Sequence, residues 1–363
     1  MLKICISGGP CSGKSSCLGK LHDELTEKLN KKVFIVPETA TELIANGIFP
    51  CENISMKEFQ GFVLDKQLAK EELYNRLTKY YDPKDIVILY DRGLLDQMAY
   101  VDKPFFEEML KERGISFADI AGRYDMVIHL VTAAKGTDCY TKDNNSARRE
   151  TAEEAIVSDD KTLASNLYHP HLRVVDNSTG FDEKVQRVLS IVFDALGKPH
   201  PSGIEKKILI KKPYEKDLEN LKFSTVSDIY QTYLISVNNT ERRVRKRGNE
   251  KDGYAYYYTE KTEISDCKRL ETEKKISEGR YKQLLEEADP NLNTIFKTRY
   301  AFLYEGQYFE LDLYPFDDEK AILETEIKEE SQKVYFPHFL KYIKEVTTDP
   351  NFKNRNIAKT LKL

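Results

Sequence analysis

A glycine-rich octapeptide near the amino terminus limits the possible folds of this chain more than any other feature. Residues 8–15 read Gly-Gly-Pro-Cys-Ser-Gly-Lys-Ser and fit the pattern G-x-x-x-x-G-K-[ST]. A short apolar run at residues 2–7 precedes the loop, and a segment with one apolar helical face follows it, formed by Leu18, Leu21, Leu25 and Leu29. The order of strand, glycine loop and helix predicts the start of a parallel α/β sheet.

The residue types in this loop are those that hold a phosphate group. Glycines allow successive backbone N–H groups to converge on phosphate oxygens, and the helix N-terminus adds partial positive charge. Lys14 is expected to reach the β- and γ-phosphates, and the Ser15 hydroxyl is expected to coordinate Mg²⁺. We therefore predict a nucleotide phosphate site with Lys14 as a catalytic cation, comprising Gly8, Gly9, Pro10, Cys11, Ser12, Gly13, Lys14, Ser15 and Ser16.

The rest of the first half alternates short apolar runs with longer amphipathic segments. Strands are predicted at residues 2–7, 32–36, 86–90, 126–132 and 172–176. This alternation is typical of a parallel sheet with helices on both faces, whose ligands collect at the carboxyl ends of the strands.

Three sets of polar residues follow predicted strands or lie between them. Glu38 follows the second strand and is either a metal ligand near a second substrate or a helix cap. Asp91 follows the third strand and either accepts a proton from an acceptor hydroxyl, or holds Mg²⁺ through water, or pairs internally with Arg92. Arg148 and Arg149 lie between strands four and five, where they either act on the transferred phosphoryl group from a mobile segment or form a solvated helix face.

The pattern changes after a segment rich in proline and glycine. Residues 197–203 read Gly-Lys-Pro-His-Pro-Ser-Gly, which ends a helix and is typical of an interdomain linker. Beyond it the apolar period becomes two, and strands are predicted at 229–237, 242–247, 254–261, 294–303, 308–314 and 321–328. We predict domains at 1–197 and 204–346, a linker at 198–203, a final helix over about 331–346 and a tail at 347–363.

Charged residues recur at every second position within these strand-like runs. Examples are Arg243 and Arg245 on one run and Glu324 and Glu326 on another. On an ordinary sheet such residues face solvent, but here the charges segregate by strand, and like charges two residues apart repel each other. The segregation favours a ligand and a metal between the strands, because basic residues hold phosphates and paired carboxylates hold Mg²⁺ or Mn²⁺.

Several short segments of the first half match one family as a set. They are the glycine loop, Pro37-Glu38-Thr39, Asp91-Arg92-Gly93 with Asp96 and Tyr100, and Arg148-Arg149-Glu150-Thr151 with Glu154-Ala155. Over residues 1–197 the chain resembles the AAA-type P-loop domain of the NadR-like ribosylnicotinamide kinases and of the related TRPL-translocation-defect proteins. The resemblance implies binding of ATP or GTP with Mg²⁺. It also implies that Asn177 and Thr179 lie near the base, unless residues 176–179 are only a turn. No N-K-x-D guanine signature is present, so the base stays open.

The second half matches another family at residues 231–234, 243–245, 259–261, 269–273 and 324–326. Over residues 203–345 it resembles the CYTH, or triphosphate tunnel, domain. The resemblance implies an α+β antiparallel eight-stranded tunnel barrel. Its ligand-binding cations would be Lys207, Arg243, Arg245, Lys261, Arg269 and Arg299, and its metal ligands Glu205, Glu324 and Glu326. Gly203 stands where the family's E-x-E-x-K segment opens with glutamate, and the loss of that ligand argues against hydrolysis but not against binding.

Composition narrows the class of protein further. The 363 residues are 40% hydrophobic and 32% charged, which is typical of a soluble globular protein. No run approaches the roughly 18–20 apolar residues of a membrane helix, and no secretory signal is visible. The six scattered cysteines predict reduced thiols and a cytoplasmic location, and the net charge of −4 gives no indication of a nucleic-acid partner.

Three functions are compatible with these patterns. The first is a regulatory or kinase-like protein that binds Mg²⁺ with GTP or ATP and whose tunnel binds a phosphorylated polyanion, such as a nucleotide, a polyphosphate or a phospholipid headgroup. The second is a small-molecule, nucleoside-type kinase with Asp91 at the acceptor hydroxyl. The third is a triphosphatase acting in the tunnel.

Overall fold

The computed structural model describes residues 1–136, 151–197, 204–221, 223–237, 240–265, 268–327 and 332–363, without side chains at 204 and 262–271. The chain divides into two compact units, Met1–Val192 and Phe193–Leu363. Each unit has its own sheet.

The first unit contains a five-stranded parallel sheet. Its strands are β1 (Leu2–Gly8), β2 (Lys32–Val36), β3 (Ile86–Asp91), β4 (Met126–Leu130) and β5 (Leu172–Val175), in the spatial order β2-β3-β1-β4-β5. The central strands are buried almost throughout, as expected when helices cover both faces of a parallel sheet. The predicted α/β class and the five predicted strands are confirmed.

The helices of this unit follow the strands. They are α1 (Lys14–Leu29), α2 (Thr39–Ala45), α3 (Met56–Asn75), α4 (Lys103–Glu112), α5 (Phe117–Ala121), α6 (Ala152–Asn166) and α7 (Phe181–Ala195). In α1 the predicted apolar face is buried at Leu18, Leu21 and Leu25. Helix α6 begins with a capping box, in which Thr151 and Glu154 satisfy each other's backbone N–H groups.

The second unit contains a nine-stranded antiparallel sheet. Its strands are β6 (Ile204–Lys211), β7 (Ser224–Val237), β8 (Thr240–Asn249), β9 (Gly253–Ser265), β10 (Lys268–Ile276), β11 (Ile295–Tyr304), β12 (Gln307–Leu313), β13 (Lys320–Ile327) and β14 (Tyr342–Glu345). The spatial order is β10-β9-β8-β7-β11-β12-β13-β6-β14. Short helices α8 (Glu215–Leu218) and α9 (Glu278–Leu285) connect strands, and α10 (Asn354–Thr360) ends the chain.

The strand register places the predicted charged positions on one face of this sheet. Lys207 lies opposite Glu324, Arg299 opposite Asp312, and Arg245 opposite Gln231. Because side chains alternate along a strand, positions two residues away share that face. We call it the charged face.

The predicted helix over 331–346 is wrong. Residues 342–345 instead form β14, which pairs with β6 and adds a ninth strand to the eight that were expected. The apolar spacing of this segment suits a strand as well as a helix, and pairing with the exposed edge of β6 decides between them.

Part of residues 347–363, predicted as a tail, packs into the core of the second unit. Ile357 and Ala358 of α10 are fully buried and join a cluster with Leu209, Tyr233 and Ile295. These three residues lie on the charged face next to its ion pairs, so the end of the chain covers part of that face.

Candidate functional site

The glycine loop joins β1 to α1 in a conformation that depends on glycine. Gly13 immediately precedes α1 with a φ of 88°, and Gly8 ends β1 with a φ of 144°, both in the range that side chains disfavour. The Lys14 ammonium donates to the carbonyls of Gly8 (3.0 Å) and Gly9 (3.2 Å). Lys14 therefore folds back over its own loop, and Ser15 and Ser16 are exposed beside it.

Helix α6 packs against the glycine loop. The Gly9 N–H donates to Asp159 Oδ1 at 2.9 Å, and a Cβ on Gly9 would lie 2.7 Å from the Asp159 Cβ. Only glycine fits at this contact, since the neighbouring atoms belong to the helix backbone and to the base of a buried side chain. Asp159 was not identified from the sequence, because it is 150 residues from Gly9 and no local pattern marks it.

Asp159 stays ionised in this buried position because several donors surround it. It accepts from the Thr132 N–H (3.2 Å), contacts His129 Nε2 (3.1 Å) and pairs with the Lys135 ammonium (2.9 Å). Burial alone would raise the pKa of Asp159, but the hydrogen bond and charge of His129, together with Lys135, hold it well below its usual range. The carboxylate is thus a fixed acceptor for the phosphate loop.

The loop after β5 is tied to the phosphate loop by a buried lysine. Asn177, predicted to lie near a base, donates through its amide to the carbonyls of Thr132 (2.7 Å) and Lys135 (2.9 Å). Its amide oxygen accepts from Lys184 at 2.7 Å, and Lys184 also donates to the Ser12 carbonyl at 3.2 Å. The Thr179 hydroxyl is buried and has no hydrogen-bond partner among the described residues.

On the other side of Lys14, the ends of β2 and β3 bring opposite charges together. Glu38 Oε1 accepts from Arg92 Nε at 2.6 Å. Burial opposes ionisation of Glu38, but Arg92 and Lys14 lower its pKa. Glu38 is therefore an ion-pair partner as well as the N-cap residue of α2, where its side chain makes no capping bond.

Asp91 lies beside this pair with one oxygen unused. Its Oδ1 is buried without a hydrogen-bond partner in the described part of the chain, and burial raises its pKa, against the attraction of Lys14. An unpaired buried carboxylate oxygen is unfavourable unless a ligand, a metal or a proton satisfies it. The predicted internal ion pair with Arg92 is not formed, since Arg92 turns to Glu38.

The donor set near Lys14 suits a hard cation. Asp91 Oδ1 and the exposed Ser15 hydroxyl are oxygen ligands of the kind that Mg²⁺ prefers, together with phosphate oxygens and water. Among the described residues, no group of three or more His, Cys, Asp or Glu side chains is arranged to hold a metal. The metal ligands predicted from the sequence, including Glu38, remain predictions.

In the second unit, the acidic residues of the charged face are engaged by cations. Lys207 contacts Glu324 (2.5 Å) and Glu205 (2.9 Å). Arg299 contacts Glu324 Oε2 at 3.2 Å and pairs with Asp312 through two nitrogens at 2.6 Å. Each oxygen of Glu324 therefore has a cationic partner, and its role as a metal ligand stays a prediction.

Lys297 of this network was missed from the sequence, whereas Glu310 and Asp312 belong to the period-two charges of the strand-like runs but were not predicted as site residues. Lys297 and Asp312 are almost completely buried and contact each other. Burial, and then the charge of Arg299, lower the pKa of Lys297 to about 8, whereas Arg299 and Lys297 hold the pKa of Asp312 well below its usual range despite burial. The alternation that identified Arg299 also points to Lys297, two residues earlier on the same face.

The arginines of β8 form the opposite part of the charged face. Arg243 and Arg247 are buried, and Arg245 lies 3.6 Å from Glu273 of β10. Arg247 helps to lower the pKa of Glu310 on β12, although β7 and β11 lie between these strands. The sheet is therefore curved, and its arginine-rich strand faces its acidic strands across a shared space.

Some predicted residues cannot be placed in these sites. Arg148, Arg149 and Gly203 lie outside the described residues, and for Arg269 only the backbone in β10 is described. Lys261 lies in β9 opposite Glu271, and Glu326 is exposed at the end of β13 opposite Glu205.

Comparison with known proteins identifies the class of the first unit. A family model described as an AAA domain matches residues 3–184, half of the chain. The chain therefore belongs to this AAA domain family. No curated protein matches the sequence.

Solved structures resemble parts of the chain. An inorganic triphosphatase is 26% identical, with 44% of this chain and 95% of that chain covered and a TM-score of 0.32. A thymidylate kinase from Ehrlichia chaffeensis is 15% identical, with 53% and 98% covered and a TM-score of 0.36. With TM-scores this low, these likenesses do not by themselves define the function of either unit. No helix in the described residues is both long and apolar enough to cross a membrane.

Proposed function

We propose that this chain binds Mg²⁺ with ATP or GTP at residues 8–16 and a phosphorylated polyanion on the charged face of the second unit, acting as a regulatory or kinase-like protein. The polyanion would be a nucleotide, a polyphosphate or a phospholipid headgroup. The observation that carries the proposal is the position of the Lys14 ammonium, which bonds only to the carbonyls of Gly8 and Gly9 among the described residues.

That position makes Lys14 available to an anion. Burial, and then the nearby charge of Arg92, lower the pKa of Lys14 to about 8, so the cation is poorly compensated where it lies. Phosphate oxygens would supply the missing negative charge, and the backbone N–H groups at the start of α1 would share them.

The charged face supports the second part of the proposal. Lys207, Lys297 and Arg299 contact carboxylates on this face, and Arg243, Arg245 and Arg247 of β8 add three guanidinium groups to it. Guanidinium groups bind phosphates through paired hydrogen bonds. A polyanion would therefore bind to the arginines of β8 on the charged face.

Substitution of Lys14 tests the nucleotide site. Lys14→Ala should lower affinity for both Mg²⁺·ATP and Mg²⁺·GTP by roughly 100-fold or more, since a charge-assisted contact is worth about 1.5–3 kcal/mol and the charge also acts at a distance. Lys20→Ala is the matched control, because Lys20 is an exposed lysine on the same helix. Equal affinity of the wild type and Lys14→Ala in calorimetry would rule out the phosphate site.

A working small-molecule kinase is the second candidate, and the unused oxygen of Asp91 favours it. Asp91 would accept the proton of a hydroxyl group as its oxygen bonds to the γ-phosphorus, while the bond to the bridging oxygen breaks and ADP leaves. Arg148 and Arg149 would stabilise the charge of the transferred group. The NadR-like resemblance makes nicotinamide riboside the first acceptor to test. Transfer of label from γ-labelled ATP that is lost in Asp91→Asn, with nucleotide affinity retained, would establish the kinase.

The triphosphatase is a less favoured alternative, because Glu324 is occupied by Lys207 and Arg299. Phosphate release from inorganic triphosphate that disappears in Glu324→Ala would nevertheless establish it. Binding of triphosphate without release supports the proposed ligand-binding role.

A further inference from the structure

Lys184 is a buried cation that contacts no anionic group among the described residues. It lies on α7 with 4% of its surface exposed, and its ammonium donates to the carbonyls of Val131 (2.7 Å) and Ser12 (3.2 Å) and to Asn177 Oδ1 (2.7 Å). All three acceptors are uncharged, and no carboxylate lies within 4 Å of the ammonium among the described residues. A buried charge of this kind is strongly unfavourable unless another charge compensates it.

The nearest carboxylates are already committed to other cations. Asp159 pairs with Lys135 and contacts His129, and Asp176 accepts from Arg187 at 2.9 Å. The carboxylates of Asp159 and Asp176 attract the Lys184 ammonium only at longer range, without contacting it. No contacting carboxylate among the described residues therefore neutralises the buried positive charge of Lys184, which lies next to the phosphate loop.

The bond to Ser12 connects this charge to the phosphate-binding surface. The peptide group whose carbonyl accepts from Lys184 carries the N–H of Gly13 on its other side. An ammonium on the carbonyl polarises the peptide and makes that N–H a stronger donor, because hydrogen bonds in a chain reinforce one another. The Gly13 N–H belongs to the loop that we propose to bind phosphates.

The other two bonds connect the phosphate loop to its neighbours. Val131 follows β4, and Asn177 follows β5 and itself holds the carbonyls of Thr132 and Lys135. A single ammonium thus joins three segments at the carboxyl edge of the sheet, where the ligands of parallel sheets bind.

We propose that Lys184 is a positioning residue of the nucleotide site, whose buried positive charge is compensated by the phosphates of the bound nucleotide. This inference rests on the proposed function. Lys184 would not touch the nucleotide; it would act through the Ser12–Gly13 peptide and through its long-range attraction for phosphate.

Proton uptake follows from this arrangement. Burial lowers the pKa of Lys184 to about 8, so part of the protein carries it uncharged at pH 8.5. Phosphates nearby favour the charged form and raise the pKa, so nucleotide binding should draw in a proton. Lys14 should take up a proton in the same way. A Lys184 variant should therefore lose only the share of the proton uptake that comes from Lys184.

The experiment compares the full-length wild type with Lys184→Met, Lys184→Gln and Lys212→Met. Glutamine keeps hydrogen-bond donors but not the charge. Lys212 is the matched control, since this lysine also donates to two carbonyls, those of Tyr314 and Asp317, but lies in the second unit. Calorimetry gives the Kd for Mg²⁺·ATP and Mg²⁺·GTP at pH 7, and the proton uptake at pH 8.5 from two buffers of different ionisation enthalpy. Thermal unfolding is measured in parallel.

Both Lys184 variants should bind nucleotide roughly 10- to 100-fold more weakly and take up fewer protons, while Lys212→Met matches the wild type. Lys184→Met should unfold at the same or a higher temperature than the wild type, since it removes a buried charge. A merely structural lysine would show the reverse, with lower stability and unchanged affinity of the folded protein.

Wild-type affinity and proton uptake in Lys184→Met would overturn the inference, as would full affinity in Lys184→Gln, because hydrogen bonding without charge would then be sufficient. If Lys184→Met does not fold, Lys184→Gln decides the question alone. A wild type that binds neither nucleotide refutes the proposed function and this inference together. A wild type that binds, with unchanged Lys184 variants, refutes the inference only.

Discussion

Replacing Gly9 by alanine should damage the phosphate loop through its contact with α6. The new Cβ would lie 2.7 Å from the Asp159 Cβ and 2.9 Å from its Cα, so either the loop or the helix must move. Overpacking of this kind typically costs about 1–3 kcal/mol. The displacement also weakens the bond from the Gly9 N–H to the Asp159 carboxylate, a bond of a class worth about 1.5–3 kcal/mol.

Together these effects predict a loss of about 2–5 kcal/mol in the free energy of unfolding of the first unit. For a unit of this size, that loss corresponds to a fall in Tm of roughly 4–20 °C. Nucleotide affinity should fall as well, because the loop that holds Lys14 is displaced. Thermal unfolding followed by circular dichroism, with and without Mg²⁺·ATP, assigns the transition of the first unit as the one that nucleotide shifts.

Gly19→Ala is the control with the opposite expectation. Gly19 lies within α1, and a Cβ there meets no atom within 4 Å. Alanine should stabilise the helix by about 0.5–1 kcal/mol. The reasoning fails if Gly9→Ala unfolds at the wild-type temperature and binds nucleotide equally well.

Three further predictions concern charge and packing. In urea unfolding at pH 7, Lys184→Met should be more stable than the wild type by up to about 3 kcal/mol. Between pH 8 and 10.5 the folded wild type binds fewer protons than the unfolded chain, so its stability rises with pH. The stability difference between the two proteins should therefore disappear across that range. A difference in the free energy of unfolding that stays constant over this pH range would contradict a charged Lys184 in the folded protein. Glu324→Gln should bind metal-free inorganic triphosphate roughly tenfold more tightly in calorimetry, because the substitution removes a carboxylate that competes with the ligand for Lys207 and Arg299. Weaker binding would show that Glu324 instead orients these two cations. Ile357→Ala should cost the second unit about 2–5 kcal/mol, since this side chain is fully buried, and a change below about 1 kcal/mol would mean that α10 is peripheral.

Local patterns were sufficient to predict the main elements of the first unit. The spacing of Leu18, Leu21 and Leu25 predicts α1, and the glycine motif predicts the loop before it. In the second unit, period-two charges indicated which strand positions share a face. These signals work because they depend on neighbours within one helix or strand.

The residues that were missed act through contacts between distant parts of the chain. Asp159 looks like one of several acidic residues on an amphipathic helix, and Lys184 like an ordinary basic one. Their roles appear only when the fold places them behind the same loop. The wrong helix at 331–346 has the same origin, because the free edge of β6, more than 100 residues earlier, selects the strand that forms there.

The strand order of the second unit has a consequence for how the protein folds. Its first strand, β6, pairs with β13, so that Lys207 meets a residue 117 positions later in the chain. The loop entropy of such a distant contact must be overcome before the contact contributes any stability, and this slows folding. On the ribosome, β6 cannot pair with β13 until Ile327 has emerged, whereas the sheet of the first unit can be complete once Val175 has emerged. We therefore expect the nucleotide-binding unit to form early during synthesis, with the curved sheet assembling last and in a single late step.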